Sequence, residues 1–196
     1  MTFETPRLLL RPFDPYSQSD VESAFAIYSD PRVVKFLSGI PTPDLKTQQE
    51  RMRERAVFYA SLDNGTGNWA IIEKATNSLI GAALVKQLPL SSPEFVTSTQ
   101  PSQGFQPSTN PADLAAEHEI GWHLAPSRWG NGFATEAAWA MIAYGFKHLN
   151  QPVLYAVVNP ANFASIAVTR RLGMRHLGRT REYYNAEVEL FELLRK

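Results

Sequence analysis

The chain has 196 residues, with 44% hydrophobic and 19% charged side chains, which suits one globular domain and excludes a wholly disordered protein. Lys and Arg (19) balance Asp and Glu (19), so the composition carries no basic footprint for nucleic acid. The sequence has no cysteine, which excludes disulfides, zinc–thiolate sites and a thiol nucleophile.

The sequence also predicts that the protein has no membrane partner. No apolar run approaches the ~20 residues that are needed to cross a bilayer. Residues 1–6 lack the basic start and the apolar stretch of a signal peptide. We therefore expect a cytoplasmic protein.

The first part of the chain predicts a strand and two helices. Residues 7–11 form a short apolar strand. Ser19 and Glu22 have the spacing of a capping box, which predicts the start of a helix. A second helix is expected to begin with Thr42 as its cap and Pro43 at its first position, and to be polar and Arg-rich.

Next come a predicted hairpin and an insertion. Residues 69–74 and 79–86 are rich in β-formers, and their short link predicts that they pair antiparallel. A Pro/Ser-rich insertion follows at about 89–115, longer than ordinary connections. We expect a mobile surface segment there, with a substrate lid as the alternative.

The second half of the chain alternates between strands and helices. Residues 117–124 predict a strand, and the β-branched run 153–158 is typical of a central strand covered on both faces. Residues 135–148 predict a buried helix, because they are apolar nearly all round. The core side chains expected from this helix are Trp139, Met141 and Tyr144.

A helix at about 162–172, ended by Gly173, and strands at 175–178 and 188–194 complete the predicted elements. Antiparallel strands thus come first, and a strand–helix–strand unit follows. This order predicts an α+β (mixed α/β) class and a single domain over residues 1–196. We expect one mostly antiparallel sheet of about seven strands with helices on both faces.

The most informative segment is the glycine loop, which we define as residues 129–135. Gly130 and Gly132 can turn successive backbone N–H groups toward one point, and the helix that follows adds unpaired N–H groups and positive partial charge. Together they predict a seat for phosphate. The loop lacks the Lys of a P-loop, and Thr135 stands where a dinucleotide fingerprint has its third glycine. Taken alone, the loop could also be a tight turn that only starts a helix.

Two motifs resemble the signature of the GNAT N-acetyltransferase superfamily. The first combines residues 119–126 with 129–137, and the second combines residues 162–165 with 171–174. The resemblance spans nearly the whole chain and is greatest to the RimJ/RimL-type branch, which includes the ribosomal-protein N-terminal alanine and serine acetyltransferases. Trp129 departs from the Gln or Arg that is usual in the superfamily, although Trp is familiar in this branch.

The resemblance implies a sheet that splays in a V between its fourth and fifth strands and holds acetyl-CoA as co-substrate. The pyrophosphate would rest on the backbone of residues 130–135, the pantetheine amides would pair with the strand edge at 122–124, and Asn162 would reach the cofactor arm. The implied cofactor-binding residues are Trp122, His123, Leu124, Trp129, Gly130, Asn131, Gly132, Phe133, Ala134, Thr135, Asn162 and Ser165.

The resemblance also suggests which residues carry the chemistry. Glu119 stands at the family's usual glutamate position and is the predicted general base, with positioning of the substrate ammonium as an equal alternative. Ser165 matches the serine that this branch uses to protonate the leaving thiolate, with a backbone-bonding hydroxyl as the alternative. Thr169 stands where many other members have a tyrosine.

Four further residues are weaker candidates. Glu117, on the same strand face as Glu119, and His123 could act as the base. Tyr183 and Tyr184 could line the acceptor pocket, although aromatic residues in a late loop more often pack than act.

The sequence thus predicts an acetyl-CoA-dependent N-acetyltransferase. Its acceptor would be a primary amine, either a protein N-terminus or a small molecule, which attacks directly in a ternary complex. A non-catalytic acyl-CoA-binding or sensing module of the same fold is the alternative. We expect no metal and no nucleic acid, and both a monomer and a homodimer stay open.

Overall fold

The computed structural model describes residues 1–37, 39–97 and 114–196, with the backbone alone at residues 114 and 115. The strands are β1 (Phe3–Glu4), β2 (Leu8–Pro12), β3 (Gly67–Glu73), β4 (Ser78–Pro89), β5 (Leu114–Leu124), β6 (Val153–Val158), β7 (Arg175–Thr180) and β8 (Val188–Leu194). They form one sheet in the order β1-β2-β3-β4-β5-β6-β8-β7.

The helices are α1 (Gln18–Tyr28), α2 (Pro31–Val34), α3 (Leu45–Leu62), α4 (Pro93–Thr97), α5 (Phe133–Lys147) and α6 (Phe163–Arg171). A 3-10 turn, Pro126–Arg128, separates β5 from the glycine loop. The chain between β5 and β6 thus contains the loop and α5, as a strand–helix–strand unit requires.

The sheet splays apart between β5 and β6. These two strands are parallel, and within the described residues they share the single register pair Glu119–Tyr155. On its other side, β5 stays paired with β4 as far as Leu124 opposite Gly81. Among the described strands, none pairs with the edge of β5 from Ile120 to Leu124 on the β6 side, and a V-shaped gap opens there.

Helices cover both faces of the sheet, because alternate residues of each strand point to opposite faces. Leu8 and Leu10 of β2 belong to a core cluster with residues of α5 and α6. On the opposite face, Ile72 of β3 packs with Ile27 of α1 and Val33 of α2. This arrangement confirms the mixed α/β class and the mostly antiparallel sheet that the sequence predicts.

The predicted starts of the first two helices are wrong. Ser17, not Ser19, caps α1, because its side chain accepts a hydrogen bond from the N–H of the third helical residue. Asp44 caps α3 in the same way. Thr42 is buried before this helix instead, and its hydroxyl donates to Gln48 Oε1 at 3.2 Å.

Four further predictions need correction or limits. Trp139 is 47% exposed rather than part of the core, whereas Met141 and Tyr144 are buried. β6 alternates between buried and half-buried residues, so one of its faces is covered less completely than predicted. With the two-residue β1, the described residues form eight strands rather than about seven, so the splay predicted between the fourth and fifth strands lies between β5 and β6. Of the insertion predicted at 89–115, residues 98–113 lie outside the described residues.

Candidate active site

A cleft of about 1020 Å³ opens where β5 and β6 part. On one side lie the glycine loop, the first turn of α5 and the start of α6. On the other side lie Tyr28, Arg51, Arg55 and Tyr59, which we call the helical wall because α1 and α3 carry them. β5 forms the floor between the two sides.

The glycine loop has the backbone geometry of an anion seat. Gly130 and Gly132 have φ values of +77° and +80°, a region that other residues rarely adopt. Gly132 is the N-cap of α5, and no side chain caps this helix start. A Cβ added at Gly130 would meet no atom within 4 Å, so the space beside the loop is open. The first N–H groups of α5 are thus available to an anion.

Trp129 ties the loop to the end of β5. Its indole Nε1 donates to the carbonyl oxygen of Leu124 at 2.9 Å, and the ring, 49% exposed, lines the cleft. Asn131 is the one predicted cofactor residue that does not line the described cleft. Its side chain turns back instead, and Nδ2 donates to the carbonyl oxygen of Trp129 at 3.0 Å.

The N-terminal segment holds the loop from behind. The Glu136 carboxylate accepts hydrogen bonds from Thr5 Oγ1 at 2.6 Å and from Arg7 N and Nε at 2.9 and 2.6 Å. Arg7 Nη1 donates to the carbonyl oxygen of Asn131 at 2.9 Å, and the guanidinium lies 4.5 Å from the centroid of the Phe133 ring. Burial opposes ionisation of Glu136, but these hydrogen bonds outweigh it and hold the pKa of Glu136 below its usual value.

The start of α6 completes this side of the cleft. Asn162 caps the helix by accepting a hydrogen bond from Ser165 N at 3.1 Å, and both residues line the cleft. Arg171 Nη1 reaches Thr135 Oγ1 at 3.5 Å, which brings a positive charge beside the glycine loop. Thr169 is fully buried, and its hydroxyl donates to a backbone carbonyl three residues earlier, so it has a packing role.

Glu119 lies where β5 and β6 part and is only 4% exposed. Lys86 stands opposite it on β4, with Nζ 3.4 Å from Glu119 Oε1 and 4.7 Å from the centroid of the Tyr184 ring. Burial raises the pKa of Glu119 to about 7, because the loss of solvation outweighs the attraction of the Lys86 charge. A carboxylate that titrates near neutral pH is suited to accept a proton from a substrate.

His123 lies on the same face of β5, toward the helical wall. Its Nε2 is 2.9 Å from Tyr28 Oη, which also accepts a hydrogen bond from Arg55 Nη1 at 3.3 Å. Burial and the positive charge of Arg55 lower the pKa of His123 to about 3. The imidazole is therefore neutral and a weak proton acceptor near neutral pH, which disfavours His123 as the base.

The structure brings most of the predicted site residues together. Those that line the cleft are Glu119, Trp122, His123, Leu124, Trp129, Gly130, Gly132, Phe133, Ala134, Thr135, Asn162 and Ser165. Glu117 instead lines a separate shallow depression with Leu90 and Tyr183, whereas Tyr184 lines the cleft itself.

Sequence reasoning missed Lys86 and the helical wall. The register of the β4–β5 pair places Lys86 opposite Glu119, so an aligned pair of strands could have revealed it. No comparable local signal marks Tyr28, Arg55 or Tyr59, because helix packing on the sheet brings them to the cleft.

The described residues contain no group of three or more His, Asp or Glu side chains placed to hold a metal ion. Among the helices described, none has the length and apolar character required to cross a membrane.

Comparison with known proteins assigns the family. The model of the acetyltransferase (GNAT) domain matches residues 7–175. The chain belongs to this family. The resemblance to GNAT proteins that the two sequence motifs indicate is therefore confirmed. An uncharacterized N-acetyltransferase of Bacillus licheniformis, p20, is 30% identical to this GNAT chain over 200 residues, which cover 100% of this chain and 97% of the relative.

Solved structures share the GNAT fold over nearly the whole chain. The acetyltransferase (GNAT family) from Bacillus anthracis has a TM-score of 0.70 at 22% identity and covers 99% of this chain and 98% of its own. RimL, a ribosomal L7/L12 alpha-N-protein acetyltransferase in complex with coenzyme A, has a TM-score of 0.71 at 13% identity, with coverage of 99% and 98%. At these identities the likeness shows the fold.

Proposed function

We propose that this GNAT chain acts as one domain over residues 1–196 and transfers an acetyl group from acetyl-CoA to a primary amine, with Glu119 as general base. The observation that carries the proposal is the place and state of Glu119. It is a buried carboxylate with a pKa of about 7, between the glycine loop and the helical wall. An amine that enters along the helical wall would meet this carboxylate on the floor of the cleft.

The residues of the cleft fit coenzyme A. The uncapped start of α5 and the positive φ values of Gly130 and Gly132 offer backbone N–H groups to a pyrophosphate. Arg171, beside Thr135, adds positive charge. The edge of β5 from Ile120 to Leu124, without a strand partner on the β6 side, offers backbone groups to an amide chain such as pantetheine. The coenzyme A complex of RimL, which shares the fold, supports this assignment.

Acetyl-CoA would supply the activated acetyl group, and this chain's residues would move the protons. Glu119 would accept the proton of the amine directly or through one water. Lys86 opposes the effect of burial and so keeps a fraction of Glu119 ionised near neutral pH. Because the chain has no cysteine, the amine would attack directly in a ternary complex. Backbone N–H groups near Trp122 would donate to the oxygen that gains charge.

Ser165 is the proposed proton donor to the leaving thiolate. It lies in the first turn of α6, lines the cleft, and has its N–H bound by the Asn162 cap. The cap fixes the backbone that carries the hydroxyl. The side-chain oxygen of Asn162 accepts the hydrogen bond of this cap, so its amide nitrogen is the group that would donate to the cofactor arm.

The test compares Glu119→Gln with Glu117→Gln, a matched control on the same strand face but outside the cleft. We expect amine-dependent thiol release from acetyl-CoA in the unmodified protein. Glu119→Gln should lower kcat/KM by about 10²–10⁴-fold, the usual worth of a general base, and Glu117→Gln should not. Acetyl-CoA should still raise the Tm of both variants.

Two results would count against this proposal. Equal activity of Glu119→Gln and the unmodified protein would remove Glu119 as base. Thermal protection by acetyl-CoA without thiol release for any amine would favour the non-catalytic acyl-CoA-binding module.

A further inference from the structure

We infer that the acceptor amine carries a carboxylate, which Arg51 and Arg55 bind while the amino group meets Glu119. The inference deepens the proposed function and rests on it. Both arginines lie on α3, four residues apart, and both line the cleft. The transfer of an acetyl group does not itself require either of them.

Both guanidinium groups have neutral partners. Arg51 Nη1 donates to Thr42 Oγ1 at 2.9 Å, and Arg55 Nη1 donates to Tyr28 Oη at 3.3 Å. The amide of Asn68, turned so that both of its ends are satisfied, accepts from Arg55 Nη1 at 3.1 Å. None of the carboxylates described in the structure lies within salt-bridge distance of either arginine.

The other basic residues of the cleft either form ion pairs or lie beside the glycine loop. The remaining basic residues that line its described part are Arg32, Lys86, Arg128 and Arg171. The first three form ion pairs, with Asp30, Glu119 and Glu73, and the fourth lies beside the glycine loop. Glu54 also lines the cleft but forms no ion pair with Arg51 or Arg55. Among the described residues, Arg51 and Arg55 of the helical wall thus have no ion-pair partner.

Two like charges one helical turn apart destabilise a helix, and an anion between them removes that repulsion. The planar guanidinium fork matches both oxygens of a carboxylate, so a pair of arginines binds this group with defined orientation. The walls of a cleft exclude water, which strengthens the attraction. These properties favour an anionic group of the acceptor against the helical wall.

The distance from this wall to Glu119 suits a short amino acid. Arg55 bonds to Asn68 on β3, which stands opposite Leu84 on β4, which in turn stands opposite Gly121 on β5. Gly121 is two strand spacings from Asn68, roughly 9.6 Å across the sheet, and it lies two residues from Glu119 on the same face, a step of roughly 6.6 Å along a strand. Gly121 adds no side chain of its own, and the Leu84 side chain, which packs against it, gives the floor of the cleft an apolar surface between the two groups.

The electrostatics of Tyr59 agree with this arrangement. Burial raises the pKa of its phenol, while the charges of Lys86 and Arg55 lower it and that of Glu119 raises it. The phenol therefore lies within electrostatic reach of both the proposed base and the proposed carboxylate site. Polycationic acceptors such as polyamines and aminoglycosides would be repelled by Arg51 and Arg55.

The experiment measures thiol release from acetyl-CoA with unbranched ω-amino acids of two to six carbons, each compared with its own amide. Rates are corrected for the fraction of free amine at the assay pH. We expect one chain length at which the acid exceeds the amide in kcat/KM by on the order of 10–100-fold, the usual worth of a hydrogen-bonded charge. The preference should reside mainly in KM.

Variants of α3 assign that preference to a residue. Arg55→Gln should lower the acid-to-amide ratio severalfold, to the part that Arg51 supplies, and Arg55→Lys should give an intermediate ratio, because it keeps the charge and loses the fork. Arg53→Gln is the matched control, because Arg53 lies over the Tyr16 ring and does not line the described cleft. It should keep the preference, and the Tm of each variant reports folding.

The outcomes separate this inference from the proposed function. If amides or spermidine are acetylated as well as every amino acid, the carboxylate site is wrong and the acetyltransferase stands. If Arg55→Gln and Arg53→Gln change the acid-to-amide ratio equally, the assignment to the helical wall is wrong. If no amine releases thiol, the proposed function fails, and the inference fails with it.

Discussion

The two sides of the cleft present different chemical groups, backbone N–H groups on one side and side chains on the other. The glycine loop is one continuous segment, and it presents backbone N–H groups whose direction depends on φ angles at Gly130 and Gly132. The helical wall presents side chains of α1 and α3, which hold one another through contacts such as Arg55 to Tyr28. A backbone surface changes little when side chains change, whereas every residue of the wall can vary. The helical wall can therefore change while the anion seat is kept.

The largest expected effect comes from a charge in the anion seat. Gly130 and Gly173 have similar φ values, +77° and +72°, and a Cβ at either would meet no atom within 4 Å. Aspartate at both positions thus brings similar backbone strain. We expect Gly130→Asp to weaken coenzyme A binding by on the order of 10²-fold, because like charges are brought together. Gly173→Asp should leave the affinity within about twofold, as measured by calorimetry.

Helix dipoles make this pair of variants more informative. Gly130→Asp adds a carboxylate near the start of α5, which is favourable, whereas Gly173→Asp adds one after the end of α6, which is not. Gly130→Asp should therefore be at least as stable toward urea as Gly173→Asp and yet bind coenzyme A less tightly than Gly173→Asp does. Equal losses of affinity in both variants would show that the loop is only a tight turn.

A second, smaller effect concerns the floor of the cleft, which carries Glu119. Lys86 lowers the pKa of Glu119 against the effect of burial, so its removal should raise that pKa above about 7. In Lys86→Met, we expect the rise of kcat/KM with pH to move to higher pH by about one unit. The measurement is a pH–rate profile of both proteins. A shift to lower pH would mean that another group limits the rate.

Glu119 should also influence stability. Its pKa of about 7 in the folded protein lies above the ordinary value of 4.5. Between these two values the folded state binds more protons than the unfolded state, so the free energy of unfolding falls as pH rises through this window. The slope should approach about 1 kcal/mol per pH unit and should be smaller in Glu119→Gln. Urea titrations of both proteins between pH 4.5 and 7.5 test this, and identical slopes would contradict it.

The smallest effect is expected at Trp129. Trp129→Phe keeps an aromatic ring and removes the hydrogen bond to Leu124. The bond is partly exposed, so we expect a loss of about 1 kcal/mol or less in the free energy of unfolding. Trp139→Phe is the control, because Trp139 is similarly exposed and its indole donates to no group in the part of the chain described. Equal losses of unfolding free energy in the two variants would show that this hydrogen bond does not contribute to stability.

The predictability of the molecule follows the same division into two sides. Glycine spacing, a helix start and strand alternation are local properties, so the glycine loop, the β3–β4 hairpin and the parallel β5–β6 pair all follow from sequence. The helix starts were displaced because several residues near Ser17 and Asp44 can act as caps, and only tertiary contacts choose among them. Thr42, for example, has a buried hydrogen-bonding role with Gln48.

The residues of the helical wall and Lys86 could be identified only from the folded structure. Lys86 contacts Glu119 from the neighbouring strand, and Arg55 contacts Asn68 from a helix that packs on the sheet. In the sequence, α3 differs little from any polar, Arg-rich surface helix. Its two inward arginines can be told from Arg53 only when the partners of each are known.

The contacts of Thr5 and Arg7 make the beginning of the chain a working part of the molecule. Arg7 donates a hydrogen bond to the carbonyl oxygen of Asn131, which lies 124 positions further along the chain. The carbonyl oxygen of Met1 accepts a hydrogen bond from Trp69 Nε1 at 3.1 Å. An affinity tag fused to Met1, or a protease that trims the first seven residues, would remove or disturb the contacts that support the anion seat. A tag after Lys196 would leave this support intact.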